Sequence, residues 1–173
     1  EESCRAAGFD PAPLLASVFP GGFSPEGITL TAEYVSCAPE GFQLNIAPSG
    51  IRISCGDGAG FFYALGVLVQ LAAQADGALP CAEIADEPAL SVRGIMLDIG
   101  RDKIPAMETL RRLIDLFASM RINHLQMYME GFSFDYEDFH YLFTNETPTT
   151  PAEFRELSLY ARAHFIDLVP NQN

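Results

Sequence analysis

Basic residues are scarce in this chain: its 173 residues include 10 Lys and Arg against 23 Asp and Glu, and the formal net charge is −13. Binding to a nucleic acid or to an anionic membrane needs clustered Lys and Arg, which the sequence lacks. We therefore expect neither a nucleic acid nor a membrane as partner, and a neutral or cationic ligand fits better. The acidity has a second explanation, because an acidic surface also keeps a protein soluble.

The chain also lacks an apolar run long enough to cross a bilayer. The longest one, residues 61–73, is interrupted by Tyr63, Gly66 and Gln70 and falls short of the roughly 20 residues that a span requires, so a core helix is predicted there. The first ten residues, EESCRAAGFD, have neither the basic nor the apolar segment of a secretory signal. Either the chain is not exported or a signal has been removed, and the compartment stays open.

Metal-binding patterns are missing as well. Cys4, Cys37, Cys55 and Cys81 are widely spaced without a Cys-x-x-Cys pair, which excludes a zinc pattern and favours core or surface thiols, with a disulfide as the alternative. His124 has no second ligand at metal-binding spacing, so we expect a packed or helix-facing imidazole. Neither a metal nor another cofactor is predicted.

The first half of the chain does contain a small α+β pattern. Residues 1–27 predict an irregular segment or short helix followed by a loop, and residues 28–35, 41–47 and 50–55 predict strands, the last two joined by a tight hairpin turn. The loop GDGAG, residues 56–60, then opens a helix with apolar positions at intervals of three and four. Because Asp57 would repel phosphate and no Lys follows, this loop predicts a turn rather than a phosphate site.

The second half alternates strand and helix. The stretch RGIMLDIGR, residues 93–101, predicts a strand over 94–99 that ends in Asp98, Gly100 and Arg101, and ligands collect at the carboxyl ends of parallel strands. A solvated Asp98–Arg101 ion pair without function is the alternative. A helix from Pro105 to about Arg121 and a strand over 123–129 follow.

A further helix is predicted from Thr150, which with Glu153 forms a capping box, and a third strand over residues 166–170. This alternation demands a parallel sheet with right-handed crossovers. Three strands cannot close a barrel, so this half is either a complete small unit or the opening of something longer.

Three segments resemble one family. The string EGFQLNIAPSGIRISCGDGAGFFYALGVLVQLA, followed by LPCAEIADEPALSVRG, is similar to the small N-terminal domain of glycoside hydrolase family 20, the β-N-acetylhexosaminidases. RGIMLDIGRDKIPAMETLRRLIDLFASMRINHLQMYMEGFSFDYEDF is similar to the start of that family's catalytic barrel, and LVPNQN resembles its third strand. After the second strand this chain has QMYME, where better-known members have His-x-His-x-x-Asp.

The resemblance implies an α/β fold in two domains. Residues 1–88 would form a small, non-catalytic α+β domain, and residues 89–173 the incomplete start of a (β/α)8 TIM barrel with three parallel strands.

The resemblance also implies a function. Family 20 enzymes remove terminal N-acetylglucosamine or N-acetylgalactosamine by substrate-assisted retaining hydrolysis, in which the sugar's own acetamide attacks the anomeric carbon. In that family an aspartate orients the acetamide, and a neighbouring glutamate protonates the leaving oxygen. This Asp-Glu pair follows the fourth strand of the barrel. An amino-sugar-containing glycan is thus the implied partner, no catalytic residue is expected in this chain, and the chain alone is expected to be inactive. Asp86-Glu87, the only adjacent Asp-Glu, is expected in a linker.

Four residues are expected to lie at the substrate. Arg101 matches the family arginine that grips the hydroxyls of the terminal sugar, and its planar fork of donors suits two vicinal hydroxyls. Asp98 is expected to orient Arg101, Glu130 to be a second substrate contact, and Asn173 to lie near the site. The aromatic stretch over residues 132–143 is either a sugar-stacking surface or ordinary loop packing.

A second class of function stays open, namely a complete non-catalytic carbohydrate-binding or interaction module. In either case an unclosed parallel sheet leaves free edges and an uncovered face, which we expect to contain Met96, Leu125 or Met127. We therefore expect the chain to self-associate through that surface unless it belongs to a longer protein.

Overall fold

The computed structural model of the protein describes residues 29–75, 78–101, 103–131, 133–142 and 147–173. The chain divides into two compact units, residues 1–89 and 90–173. The expectations for residues 1–27, Cys4 among them, and for Phe132 and Phe143 lie outside the described residues. The described ranges contain no helix with the length and hydropathy of a membrane span.

The first unit packs a helix against a mixed sheet. Its described strands are β1 (Leu30–Tyr34), β2 (Phe42–Ala47), β3 (Gly50–Cys55) and β4 (Ala82–Asp86), and helix α1 spans Gly58–Gln74. They are ordered β1-β3-β2-β4, with β1 parallel to β3 and the other pairs antiparallel. Ala47 pairs with Gly50 across Pro48 and Ser49, so the predicted hairpin is confirmed.

Strand β4 was not predicted from the sequence. Asp86 is its last residue and pairs with Phe42 of β2, so the linker position expected for Asp86 is wrong. Glu87 follows the strand. Because β4 is held by pairing with a strand about 40 residues earlier, the short segment gives little local signal.

Alternate residues of β2 and β3 face helix α1 and form the core of this unit: Phe42, Leu44, Ile46, Ile51, Ile53 and Cys55 are buried. The N-terminal half of α1 is buried on several sides, because Phe62, Tyr63 and Ala64 join Phe61 and Leu65 in the core. Cys55 is thus a core residue, and Cys37 and Cys81 are exposed.

The loop before α1 is the predicted turn, and Asp57 caps the helix that follows it. The two carboxylate oxygens of Asp57 accept hydrogen bonds from the backbone N–H groups of Gly60 and Glu40, each at 2.8 Å. Asp57 is therefore the N-cap of α1, and its own negative charge lies where a phosphate would have to bind.

The second unit alternates strands and helices. Its elements are β5 (Gly94–Asp98), α2 (Met107–Ser119), β6 (His124–Met129), a 3-10 helix (Glu137–Leu142), α3 (Pro151–Ala163) and β7 (Asp167–Gln172). The strands are ordered β5-β6-β7 and both pairs are parallel, which confirms the predicted α/β alternation and three-stranded parallel sheet. Thr150 and Glu153 form the predicted capping box at the start of α3.

The two faces of this sheet differ in burial. Leu125, Met127 and Met129 of β6 are buried, as are Ile114 of α2 and Leu157 of α3. The odd-numbered residues of β6 therefore face the helices, and the uncovered face that we expected to contain Leu125 or Met127 does not contain them. This open face carries the residues of opposite parity.

Met96, 57% exposed, does lie on the open face, in register with Gln126. His124 has the same parity and lies beside Gly94, where a Cβ would come within 3.2 Å of its ring. His124 is therefore packed, which is one of its two expected positions, and it does not face the helices.

The amino ends of β5 and β6 are tied together by Asn123. Its side chain accepts a hydrogen bond from the backbone N–H of Arg93 at 2.9 Å and donates one to the carbonyl of Ser91 at 2.8 Å. The Arg93 guanidinium donates to the carbonyls of Arg121 and Leu90 at 2.6 and 2.8 Å. These contacts join the amino ends of the strands, at the end of the sheet opposite to their carboxyl ends.

Candidate functional site

The carboxyl ends of the three parallel strands lie along one edge of the second sheet. Strand β5 ends at Asp98, β6 is followed by Glu130, and β7 is followed by Asn173. Parallel pairing places these three positions at the same edge, where α/β proteins bind ligands. With Arg101 and Tyr128 they form a group that we call the strand-end cluster.

Asp98 holds Arg101 by a side-chain ion pair. The Arg101 Nε donates to Asp98 Oδ2 at 2.7 Å, Nη2 also contacts that oxygen, and the other carboxylate oxygen accepts the backbone N–H of Gly100 at 2.9 Å. The hydrogen bond from Arg101 lowers the pKa of Asp98 below its ordinary value, and the same bond raises the pKa of Arg101. The pair is therefore charged across the neutral range, and one edge of the guanidinium is fixed.

Glu130 lies beside the same guanidinium. Its Oε2 is 3.8 Å from Arg101 Nε, and the carboxylate accepts a hydrogen bond from the Tyr128 hydroxyl at 3.0 Å. The Arg101 side chain is 65% exposed and that of Glu130 is 42% exposed. A strong donor and a strong acceptor thus both reach solvent at one edge of the sheet.

Asn173 joins the cluster through Tyr128. Its Nδ2 donates to the Tyr128 hydroxyl at 2.8 Å, and the Arg101 Cζ lies 5.4 Å from the centre of the Tyr128 ring, within the range of a cation–π contact. The structure therefore brings together all four residues that the sequence analysis selects for substrate binding: Asp98, Arg101, Glu130 and Asn173. Tyr128, which links three of them, was not selected. The sequence contains one signal for Tyr128. Residues two apart along a strand point to the same face, and Tyr128 lies two residues before Glu130.

Neutral polar side chains line the open face below the cluster. Asn171 Nδ2 lies 3.3 Å from Gln126 Oε1, where it donates a hydrogen bond, and 3.7 Å from Met96 Sδ. These amide and thioether groups carry no charge and adjoin the charged cluster. Together they suit a ligand with hydroxyl and amide groups.

The aromatic stretch over residues 132–143 contains both packed and exposed rings among its described residues. The Phe134 ring packs edge-on against Tyr136 and Phe154, with ring centres 5.0 and 5.8 Å apart, so Phe134 belongs to the packing. The Tyr136 hydroxyl donates to the side chain of Gln172, which ties the loop to the end of β7. Phe139 and Tyr141 are exposed.

The chemical capacity of the cluster is that of a binding site. Asp98 is engaged by Arg101 and Gly100, so the two carboxylates do not form a pair with divergent acid and base roles. Among the described residues, no group of three or more His, Cys, Asp or Glu side chains could hold a metal ion. Hydrogen bonding to a polar ligand is what this geometry supports.

Comparison with known proteins agrees with this architecture. The model of the family "Glycosyl hydrolase family 20, domain 2" matches residues 4–87. A curated β-hexosaminidase from Akkermansia muciniphila is 28% identical in an alignment 151 positions long, which covers 76% of this chain and 30% of that protein. This chain thus spans about a third of that relative.

Solved structures show the same fold at low identity. A β-N-acetylhexosaminidase from Bacteroides fragilis has a TM-score of 0.74 at 24% identity, covering 86% of this chain and 33% of its own. An exo-β-N-acetylglucosaminidase from Vibrio harveyi, solved in complex with N-acetylglucosamine, has a TM-score of 0.76 at 22% identity, covering 97% of this chain and 30% of its own. The family match over residues 4–87, the curated relative and the shared fold make this chain β-N-acetylhexosaminidase-like, by resemblance to glycosyl hydrolase family 20.

Proposed function

We propose that the chain is the N-terminal part of a glycosidase that removes terminal N-acetylglucosamine or N-acetylgalactosamine from a glycan by substrate-assisted retaining hydrolysis. In this proposal residues 1–88 are a non-catalytic domain, and residues 89–173 supply the first three β/α units of a (β/α)8 barrel. The observation that carries the proposal is the convergence of Asp98, Arg101, Glu130 and Asn173 at the carboxyl ends of three parallel strands.

The chemistry of the cluster favours a polyhydroxylated ligand. Because Asp98 engages Nε and Nη2 of Arg101, the rest of the exposed guanidinium is available to donate to hydroxyl oxygens. Glu130 is an acceptor that a hydroxyl can donate to. A sugar hydroxyl both donates and accepts, so two neighbouring hydroxyls can satisfy Arg101 and Glu130 together. An anionic ligand would meet the two carboxylates of the cluster.

In this proposal the cluster binds the terminal sugar and the bond cleavage depends on groups outside the chain. The Asp-Glu pair expected for the family follows a fourth parallel strand, whereas Asp86 ends β4, which pairs antiparallel with β2 in the first unit. The 173-residue chain by itself is therefore proposed to be inactive.

The test is hydrolysis of aryl N-acetylglucosaminide and N-acetylgalactosaminide by the full-length protein that carries this chain, as wild type and as Arg101→Ala. Arg112→Ala is the matched control, since Arg112 is an exposed arginine of α2 that pairs with Glu108. We expect kcat/KM to fall by about 10- to 100-fold for Arg101→Ala, the loss typical of a charged hydrogen bond to substrate, and to stay unchanged for Arg112→Ala.

Failure of the wild type to release either amino sugar would overturn the proposed function. Equal activity of the two arginine variants would instead remove Arg101 from the site. Binding of N-acetylglucosamine without hydrolysis would favour the non-catalytic carbohydrate-binding module.

A further inference from the structure

Tyr128 contacts three other members of the strand-end cluster. Its hydroxyl donates to Glu130 at 3.0 Å and accepts from Asn173 Nδ2 at 2.8 Å, and its ring lies 5.4 Å from the Arg101 Cζ. Strand register explains why, because Tyr128 pairs with Asp98 on one side and with Asn171 on the other. It is the central residue of the row that crosses all three strands.

The hydroxyl and the ring hold different neighbours. The hydroxyl fixes Glu130 and Asn173, and the ring lies against the guanidinium. Without the hydroxyl, Glu130 would lose a hydrogen bond and keep its ion-pair contact with Arg101 Nε at 3.8 Å, which is beyond hydrogen-bonding distance. The side chains of Glu130 and Asn173 would then lose the partner on β6 that they share.

The protonation state of Tyr128 agrees with a donor role. Its partial burial, together with the hydrogen bond to Glu130, raises the pKa of Tyr128 above its ordinary value. The phenol therefore keeps its proton across the neutral range and continues to donate to the carboxylate.

We propose that Tyr128 is a positioning residue, which sets the spacing between the Arg101 donor and the Glu130 acceptor and links Asn173 of the third strand to both. This inference rests on the proposed function, since the spacing matters for a ligand that presents two neighbouring hydroxyls. In this proposal Tyr128 does not contact the ligand directly and acts through the side chains that it holds. Its contribution is to binding, not to the cleavage step.

The test compares Tyr128→Phe with Tyr160→Phe. Tyr160 is a matched control because its hydroxyl also donates to a carboxylate, that of Asp115 at 2.7 Å, but between helices α2 and α3. Both variants lose one tyrosine hydroxyl bonded to a carboxylate, so a general loss of stability would appear in both.

The first readout needs no activity. In nuclear magnetic resonance spectra of the ligand-free full-length protein, we expect Tyr128→Phe to shift the Arg101 Nε–H and the Asn173 side-chain amide resonances, and Tyr160→Phe to leave them in place. Unshifted resonances in Tyr128→Phe would overturn the inference. Tyr128→Ala, which also removes the ring, should shift the Arg101 resonance further.

The second readout uses the full-length protein and the aryl amino sugars. We expect Tyr128→Phe to raise KM about tenfold, as expected for one lost hydrogen bond to a charged group, with kcat within about twofold of wild type. An unchanged KM, or a fall in kcat alone, would overturn the positioning role. If the wild type releases no amino sugar, the proposed function fails, and the resonances still decide whether Tyr128 holds the cluster.

Discussion

Gly100 and Glu130 approach so closely that only glycine fits at position 100. A Cβ built on Gly100 would lie 2.4 Å from the backbone nitrogen of Glu130 and 2.8 Å from its Cβ. The turn that follows β5 is therefore packed directly against the residue that follows β6. This contact brings Arg101, one residue later, beside the Glu130 carboxylate.

Replacing Gly100 with Ala is expected to push the end of β6 away from the turn. Because the obstacle is backbone and cannot rotate aside, we expect a loss of about 1–3 kcal/mol in the free energy of unfolding, the usual cost of overpacking. We also expect a rise in KM of tenfold or more in the full-length protein, because Glu130 moves. Chemical denaturation and steady-state kinetics measure the two effects.

Gly66→Ala is the control for this change. A Cβ at Gly66, within helix α1, meets no atom within 4 Å, so the variant should gain about 0.5–1 kcal/mol from helix propensity and keep its KM. If Gly100→Ala behaved like Gly66→Ala, the close packing of the two strand ends would be wrong.

Asn123→Ala is expected to destabilise the second unit without altering the site. The side chain makes two hydrogen bonds that join the start of β5 to the start of β6, at the end of the sheet opposite to the cluster. We expect a loss of about 1–3 kcal/mol, and a smaller loss for Asn123→Asp, which keeps the acceptor. Urea unfolding measures the loss. A KM that changed in Asn123→Ala under conditions where the protein stays folded would contradict this separation of roles.

The Tyr160 hydroxyl is expected to make stability depend on alkaline pH. Burial and the hydrogen bond to Asp115 raise the pKa of Tyr160 from 10.0 to about 12. A raised folded-state pKa means that the unfolded chain releases the proton first, so this stabilisation is complete below pH 10 and is lost as the pH rises towards 12. The loss should amount to roughly 1–2 kcal/mol after allowance for solvent screening.

The measurement is the difference in unfolding free energy between wild type and Tyr160→Phe at several pH values. Subtraction of the two curves removes the contribution of other alkaline groups. The difference should be constant up to pH 10 and shrink above it. A constant difference across the whole range would show that Tyr160 titrates at its ordinary pKa.

The positions of the site residues could be predicted from the sequence for a definite physical reason. In a parallel sheet the carboxyl ends share one edge, so Asp98, Glu130 and Asn173 had to lie along it once the three strands were recognised. The capping box at Thr150 could also be predicted, because it is a purely local pattern.

What escaped prediction depends on contacts between distant residues. Period-two alternation divides β6 into two sets, but it does not say which set the helices cover, and so Leu125 and Met127 were expected on the wrong face. The polar set with Gln126 and Tyr128 is the one left open. The role of Tyr128 rests on a contact with Asn173, 45 residues away, which no local pattern contains.

The outer strands of the second sheet, β5 and β7, each keep a row of backbone N–H and C=O groups that no described strand pairs. The surface between these strands carries the polar side chains of Gln126, Tyr128 and Asn171, so its exposure to water costs little free energy. The free edges of β5 and β7 therefore offer a route for sideways association, strand against strand. It would lengthen the sheet instead of stacking two sheets upon each other.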